Sequence, residues 1–170
     1  PDSNKNNMHI LMVAAENDAL PGGKVGGIGD VVRDVPTALA ARGHRVTVLT
    51  PAYGVFAELA GARRMTTVDI GFAGSGHHVE IYEVNGKQPQ PEQQPNIQPN
   101  IRYIVFDHTL FVSGGKGAIY CNDPPQRPFA TDASKFALFC NAVAEAIIRN
   151  VFGDIDVIHL HDWHAAFLLI

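Results

Sequence analysis

Residues 22–32 of the chain read GGKVGGIGDVV, and they separate a strand-like run from a helix-like run. The run before them, residues 9–15 (HILMVAA), is apolar after its first histidine, as expected for a buried parallel strand. The run after them, residues 27–42, has apolar residues at helical spacing. Glycines let a loop turn tightly and approach a ligand, and a helix start offers free N–H groups to an anion. The segment therefore predicts an anion-binding loop, although many α/β folds need glycine there for turn geometry alone.

Two charged side chains in this segment could contact an anionic ligand. Lys24 places a mobile cation in the loop, and Asp30 places a carboxylate in the first turn of the predicted helix. Each also has a plain structural interpretation. A loop lysine is commonly solvated, and a first-turn aspartate stabilises the positive end of its own helix dipole.

Strand-like and helix-like runs alternate along the rest of the chain. Beyond the first helix, the predicted elements are a strand at 45–50, a short helix within 53–60, a hairpin at 64–72 and 77–84, a strand at 101–106, a helix capped by Thr131 or Asp132, a strand at 156–160 and an apolar helix at 163–170. This pattern predicts an α/β fold: a Rossmann-like, doubly wound, mainly parallel sheet with helices on both faces and an antiparallel hairpin.

The two long helices are each predicted to bury one apolar stripe. In the first helix, Pro36 is expected to bend the helix without dividing it, and the stripe consists of Ile28, Val31, Val32, Val35 and Leu39. In the second helix, Glu145 and Arg149 are expected to pair on the solvent side, and the stripe consists of Phe136, Phe139, Val143 and Ile147.

Composition limits the class of protein. The chain has 170 residues, of which 46% are hydrophobic and 18% charged, so it can bury the core of one domain or most of one. A net charge of −4 gives no basic surface for nucleic acid, and the apolar run near residue 10 is too short to span a membrane. We therefore expect a cytoplasmic protein. Cys121 and Cys140 lack metal-binding spacing and are expected to be free thiols.

Two polar segments are predicted to lie outside the packed core. Residues 1–7 are predicted to form a flexible tail before a domain that occupies residues 8–170. Residues 86–100 are rich in glutamine, asparagine and proline, and they predict a solvated loop to which we assign no function. The last helix has no cap or closing element, so we expect the domain to be incomplete.

A second segment with chemically active side chains ends the last predicted strand. Residues 156–165 read DVIHLHDWHA. In an open doubly wound sheet, the first and fourth parallel strands lie side by side where the strand order reverses, and ligands bind beyond their carboxyl ends. The loop at 24–27 and the turn at 161–164 are therefore predicted to face each other across one crevice.

The histidines of this second segment also allow a metal-binding interpretation. His159 and His161 share a strand face, and with Asp162 and His164 they have the residue types of metal ligands. The sequence shows no further ligand cluster, so we expect no metal. Trp163 can stack on a sugar, or it can be a core residue at a helix start.

The two segments together resemble the motifs of a known family. Residues 24–32 (KVGGIGDVV) resemble the opening motif of the glycogen and starch synthases, and residues 161–164 (HDWH) resemble a later motif of the same family. Both occur in the family's order, and the resemblance covers nearly the whole chain from Met8. It implies a glycosyltransferase of the GT-B fold, of which this chain is an incomplete N-terminal domain.

The resemblance implies separate roles for the two sides of the crevice. The residues implied to bind the nucleotide-sugar donor are Lys24, Gly26, Gly27 and Asp30. The residues implied to line the acceptor groove are Tyr120, Asp162, Trp163 and His164. The resemblance implies no metal and no cofactor, and it places the family's catalytic residues outside this chain.

The implied reaction is transfer of glucose, with retention, from ADP-glucose or UDP-glucose to the non-reducing end of an α-1,4-glucan. The missing remainder of the domain and a C-terminal domain are implied partners, so the fragment alone is expected to be inactive. Three alternatives remain open: a non-catalytic glucan-binding or regulatory module, a GT-B glucosyltransferase acting on a small acceptor such as a sugar phosphate or sucrose precursor, and a metal hydrolase using His159 and His161.

Overall fold

The computed structural model describes residues 7–87 and 100–170. The strands and α-helices within them are β1 His9–Val13, α1 Gly27–Ala41, β2 Arg45–Pro51, β3 Arg63–Phe72, β4 Ser75–Val84, β5 Ile101–Asp107, α2 Ala130–Ile148, β6 Val157–Leu160 and α3 Asp162–Ala166. The predicted tail, apart from residue 7, and residues 88–99 of the predicted polar loop lie outside the described residues.

The described strands form one mixed sheet in the order β3-β4-β5-β2-β1-β6. Strand β1 pairs in parallel with β2 on one side and with β6 on the other, and β2 pairs in parallel with β5. The chain thus moves outward from β1 and then returns to its other side. This reversal places the carboxyl ends of β1 and β6 next to each other, as predicted, and it confirms the doubly wound fold.

The hairpin formed by β3 and β4 extends the sheet in antiparallel order. Its turn is shorter than predicted, because only Ala73 and Gly74 separate the strands and both have positive φ, at 49° and 78°. Two such residues form the turn whose twist matches a hairpin. Strand pairing therefore continues through residues that the sequence pattern assigned to the loop.

Two hydrophobic cores cover the two faces of the sheet. Every residue of β1 is buried, as expected for a central parallel strand. Because side chains alternate along a strand, Met12 packs with Val32 of α1, whereas Leu11 belongs to the core of Phe136 in α2. The prediction of helices on both faces is confirmed.

Helix α1 is continuous, with Pro36 buried inside it. After its last turn Gly43 has a φ of 94°, and its N–H donates to the carbonyl of Ala40, as in a glycine-terminated helix. The predicted stripe was wrong at Val31, whose side chain is 45% exposed. Val32 packs against the sheet, and successive residues of an α-helix are about 100° apart around its axis, so Val31 points toward solvent.

Helix α2 confirms the predicted stripe and the pair between Arg149 Nε and Glu145 Oε1, which lie 2.6 Å apart. The predicted caps were wrong: the helix begins at Ala130, so Thr131 and Asp132 lie inside its first turn. Asp123, from the preceding loop, accepts hydrogen bonds from both the N–H and the hydroxyl of Thr131. A carboxylate eight residues earlier in the chain thus satisfies one of the free amides at the helix start.

The remaining helical predictions were too long. The segment predicted within 53–60 is a 3₁₀ turn at Phe56–Glu58, and the final segment is α3 followed by a 3₁₀ turn at Phe167–Leu169. Cys121 and Cys140 are free thiols, as predicted. Across residues 7–87 and 100–170, no helix is both long and apolar enough to cross a membrane.

Candidate functional site

The glycine-rich loop, residues 22–27 up to and including the first residue of α1, is held by a buried glutamate that the sequence motifs did not indicate. Glu16 lies three residues after the end of β1 and is only 2% exposed. Its Oε2 accepts hydrogen bonds from the N–H groups of Val25, at 2.9 Å, and Gly26, at 2.8 Å. Its Oε1 accepts a hydrogen bond from the hydroxyl of Tyr120, at 2.6 Å. One carboxylate therefore connects the end of β1, the loop and a segment 104 residues away.

These hydrogen bonds keep the Glu16 carboxylate charged. Burial by itself raises the pKa of Glu16, but the hydrogen bonds from Tyr120, Gly26 and Val25 outweigh it and lower the pKa below its usual value. The pKa of the Tyr120 hydroxyl is raised, first by burial and then by its hydrogen bond to this carboxylate. Tyr120 is therefore the proton donor in the pair at neutral pH.

Lys24 and Asp30 form an ion pair across the loop. The ammonium of Lys24 lies 2.8 Å from Oδ1 and 2.7 Å from Oδ2 of Asp30, and Arg33 lies 3.3 Å from the same carboxylate. The side chains of Lys24 and Asp30 are 42% and 38% exposed, so the pair contributes at most about 1 kcal/mol to stability. A bound anion can therefore compete for the lysine at small energetic cost.

The amino end of α1 can hold an anion with backbone groups. Gly26 precedes the helix without a side-chain cap, and its N–H is already bonded to Glu16. The amides of Gly27 and Ile28 have no acceptor within the helix because they belong to its first turn, whereas the amide of Gly29 donates to the carbonyl of Gly26 at 3.3 Å. A Cβ on Gly27 would have no atom within 4 Å, so the space beside this amide is open. These features fit a phosphate group.

The turn after β6 places an aromatic face at the surface. Asp162 has a φ of 62°, an uncommon conformation for a residue other than glycine, and its Oδ1 accepts a hydrogen bond from the N–H of Trp163. Trp163 is 38% exposed. Its indole lies edge to face with Phe136, at 5.8 Å between centroids, and with the exposed Phe129, at 6.1 Å. Trp163 is therefore neither a core residue nor fully solvated.

His164 lies beneath this surface. It is 5% exposed and packs its ring on Tyr120, Phe136 and Trp163, with centroid distances of 5.3, 4.8 and 4.2 Å. Its Nδ1 has no hydrogen-bond partner among the described residues, and burial lowers its pKa, which favours the neutral imidazole. His164 is predicted to line the acceptor groove, and its ring packs directly beneath Trp163.

Tyr120 brings the two predicted segments together. Its hydroxyl binds Glu16 beneath the glycine-rich loop, and its ring contacts His164 of the turn after β6. The loop and the turn therefore lie at one crevice, as the strand order predicted. Tyr120 is half-buried and its hydroxyl is already engaged, which the local sequence pattern could not reveal.

His159 in β6 and His161 just after it do not form a metal centre with the other candidate ligands. The rings of His159 and His161 stack with centroids 4.4 Å apart. Among the residues that the structure describes, no group of three or more histidine, cysteine, aspartate or glutamate side chains is arranged to hold a metal ion. Burial, with a smaller contribution from His159, lowers the pKa of His161 to about 4.

Glu16 and Phe129 are the site residues that the sequence analysis missed. A signal for Glu16 was available, because an acidic residue shortly after a central parallel strand lies at the ligand-binding edge of the sheet. Phe129 carried no comparable signal, since its exposure depends on the path of the loop before α2. Two cavities of about 280 and 350 Å³ lie toward the amino ends of β5 and β6, so cavity volume does not identify this site.

The sheet order defines a Rossmann-like, doubly wound α/β domain, with a glycine-rich loop and an aromatic turn at its switch point. A family model described as the starch synthase catalytic domain matches residues 9–170. The chain belongs to this family.

Similar proteins of known class agree with this assignment. The chain is 29% identical over 163 residues to a glycogen synthase of Hydrogenobaculum sp. (strain Y04AAS1), covering 96% of this chain and 30% of that protein. It is 32% identical to a glycogen synthase of Gloeobacter violaceus, covering 95% of this chain and 30% of that protein. The chain therefore spans about a third of the length of these relatives.

A solved structure has the same fold. The catalytic domain of starch synthase IV from Arabidopsis thaliana, bound to ADP and acarbose, superposes with a TM-score of 0.71 at 25% sequence identity. The match covers 96% of this chain and 29% of that chain. The predicted family and the GT-B type of fold are confirmed.

Proposed function

We propose that the protein containing this chain is a glycogen or starch synthase, which transfers glucose from ADP-glucose to the non-reducing end of an α-1,4-glucan with retention. The observation that carries the proposal is the meeting of the glycine-rich loop and the aromatic turn at one crevice of a chain that belongs to the starch synthase family. ADP in the solved relative favours ADP-glucose over UDP-glucose as the donor.

The donor side of this site is the loop and the start of α1. When the nucleoside diphosphate leaves, negative charge grows on its phosphates, so nearby cations and free amides stabilise the transition state. We assign this role to Lys24 and to the backbone at Gly26 and Gly27. Asp30 holds Lys24 in place until the donor arrives, and it then faces the donor site.

The acceptor side is the turn after β6. Trp163 offers an exposed aromatic face, and sugars stack on such faces through their C–H groups. Asp162 adds a carboxylate that can accept hydrogen bonds from sugar hydroxyls. His164 and Tyr120 complete the predicted acceptor set. His164 is buried and packs on Trp163, so it supports this aromatic face, and the half-buried Tyr120 packs on His164.

The proposed activity needs more protein than this chain. We assign no catalytic residue to residues 1–170, and we propose that the remainder of the N-terminal domain and a C-terminal domain supply the missing groups. The isolated chain is then inactive, because the transition state forms only when both domains close on the substrates. We also propose a cytoplasmic location, no cofactor and no metal.

The test is paired kinetics on the full-length protein, with donor and glucan varied separately. Lys24→Ala is expected to weaken donor use about ten- to a hundredfold, because it removes a charged hydrogen bond in a closed site. Lys116→Ala is the matched control, since Lys116 also pairs with a carboxylate at 2.7 Å on the surface. Trp163→Ala is expected to act mainly on glucan kinetics, and Trp163→Phe to retain part of the aromatic face.

The possible outcomes separate the alternatives. Glucan binding without glucose transfer would show a non-catalytic module, and transfer only to a sugar phosphate would show a small-acceptor enzyme. Activity that is lost with a chelator and restored by a metal would favour the hydrolase. If both substitutions impair donor and glucan use equally, with melting curves unchanged, the separate roles assigned here are wrong.

A further inference from the structure

A buried ion pair in α2 fixes the backbone on both sides of Tyr120. Lys135 and Asp132 are 0% and 2% exposed, and their charged groups lie 2.8 Å apart. The ammonium of Lys135 donates to the carbonyl of Ile119, and both oxygens of Asp132 accept from the N–H of Cys121 at 3.2 Å. The residues just before and just after Tyr120 are therefore held by one helix.

This ion pair has little freedom to rearrange. The ammonium of Lys135 also lies 4.9 Å from the ring centroid of Phe136 and 5.6 Å from that of Tyr53. A buried charge that loses its partner is strongly destabilised, so both side chains keep their positions. Tyr120 consequently extends from a rigid support in α2.

The hydroxyl of Tyr120 transmits this support to the glycine-rich loop. It donates to Glu16, and the same carboxylate holds the amides of Val25 and Gly26. We propose that Glu16, Tyr120, Asp132 and Lys135, which we call the loop support, are positioning residues that fix the glycine-rich loop for the nucleotide. The inference rests on the proposed function, because it assigns the loop to nucleotide binding.

The loop support gives Tyr120 a role different from acceptor binding. A tyrosine in direct contact with glucan would need a free hydroxyl or an open ring face. Here the hydroxyl is bonded to Glu16 and the ring packs between Phe136 and His164. Small displacements of a binding loop have large effects, because a phosphate must meet several amides at once. Loss of the Tyr120 hydroxyl is therefore expected to appear in nucleotide binding.

The test measures ADP binding to the full-length protein by calorimetry, with the variants Tyr120→Phe, Glu16→Gln and the double variant. Each single variant is expected to weaken ADP binding about three- to tenfold, since each breaks a hydrogen bond to a charged group. The double variant is expected to bind ADP no more weakly than the weaker-binding single variant, because the two substitutions break the same hydrogen bond between Tyr120 and Glu16. Glucan affinity is expected to stay unchanged.

Tyr82→Phe is the matched control. The Tyr82 hydroxyl also donates to a glutamate, Glu80, at 2.9 Å, but on the hairpin and away from the crevice. The control is expected to bind ADP as the unmodified protein does. If Glu16→Gln does not fold, Tyr120→Phe decides alone, because it keeps the carboxylate in place.

Hydrogen–deuterium exchange gives a readout that does not depend on a nucleotide. The amides of Val25 and Gly26 are expected to exchange faster in Tyr120→Phe than in Tyr82→Phe. Unchanged exchange, or unchanged ADP affinity in a protein that binds ADP, overturns the loop support. A selective loss of glucan affinity also overturns it, in favour of direct acceptor contact. Failure of the unmodified protein to bind ADP overturns the proposed function itself, together with any role of the support in nucleotide binding.

Discussion

Gly23 and Gly27 lie four residues apart in the glycine-rich loop, and the structure gives them different reasons to be glycine. A Cβ added to Gly23 would lie 2.1 Å from the carbonyl oxygen of Asn17, far below the 3.0 Å at which real Cβ contacts essentially cease. The same backbone segments are joined by the hydrogen bond from Asn17 N–H to the Gly23 carbonyl, at 2.8 Å. A Cβ added to Gly27 would meet no atom within 4 Å.

The expected cost of Gly23→Ala follows from this geometry. Two backbone segments must separate by roughly 1 Å to restore a normal contact, and the hydrogen bond between them is then weakened. Overpacking of this kind costs about 1–3 kcal/mol in the free energy of unfolding. Each kcal/mol lost from the free energy of unfolding lowers the melting temperature by about 2–4 °C in a domain of this size. Gly27→Ala is expected to leave stability unchanged or to raise it by less than about 1 kcal/mol.

The second difference expected between the two variants is in their affinity for ADP. The open space beside Gly27 is where we place the phosphates, so the new methyl group is expected to weaken ADP binding about tenfold. The assay is calorimetry on the full-length variants, with thermal unfolding recorded for each without ligand. Equal melting temperatures for Gly23→Ala and the unmodified protein would refute the steric argument. Normal ADP binding by Gly27→Ala would show that Gly27 serves only turn geometry.

Two further predictions concern titratable groups. The pKa of His161 is lowered to about 4 in the folded protein, whereas in the unfolded chain the imidazole takes up a proton near pH 6.5. The contribution of His161 to the free energy of unfolding is therefore fully present above pH 6.5 and is lost as the pH falls toward 4. Chemical denaturation between pH 6.5 and pH 4 should show a smaller loss of unfolding free energy for His161→Gln than for the unmodified protein. Identical pH dependence in the two proteins would contradict the lowered pKa of His161. Burial raises the pKa of Cys140 to about 12 and also raises that of the less buried Cys121. Iodoacetamide should therefore modify Cys121 first in the folded protein and both at similar rates in urea, as read by mass spectrometry; faster labelling of Cys140 in the folded protein would show that its burial is wrong.

The fold was predictable because its determinants are local. Continuous apolar runs identify β1 and the other central strands, and helical spacing identifies the buried stripe of α2, since both depend only on nearby residues. The sequence pattern failed where the path of a loop decides the outcome. Phe129 occupies the N-cap position of α2, and Asp123 of the preceding loop accepts hydrogen bonds from Thr131 in the first turn, so the capping propensities of Thr131 and Asp132 gave the wrong boundary.

The sequence by itself determined the alternation of strands and helices, the two motifs and the family they resemble. Only the tertiary structure decided what their side chains contact. It engages Lys24 with Asp30, buries His164, exposes Trp163, and joins Tyr120 to Glu16 across 104 residues. The physical reason is that hydrophobic periodicity is set by neighbours along the chain, whereas a buried carboxylate must find its donors wherever the folded backbone brings them.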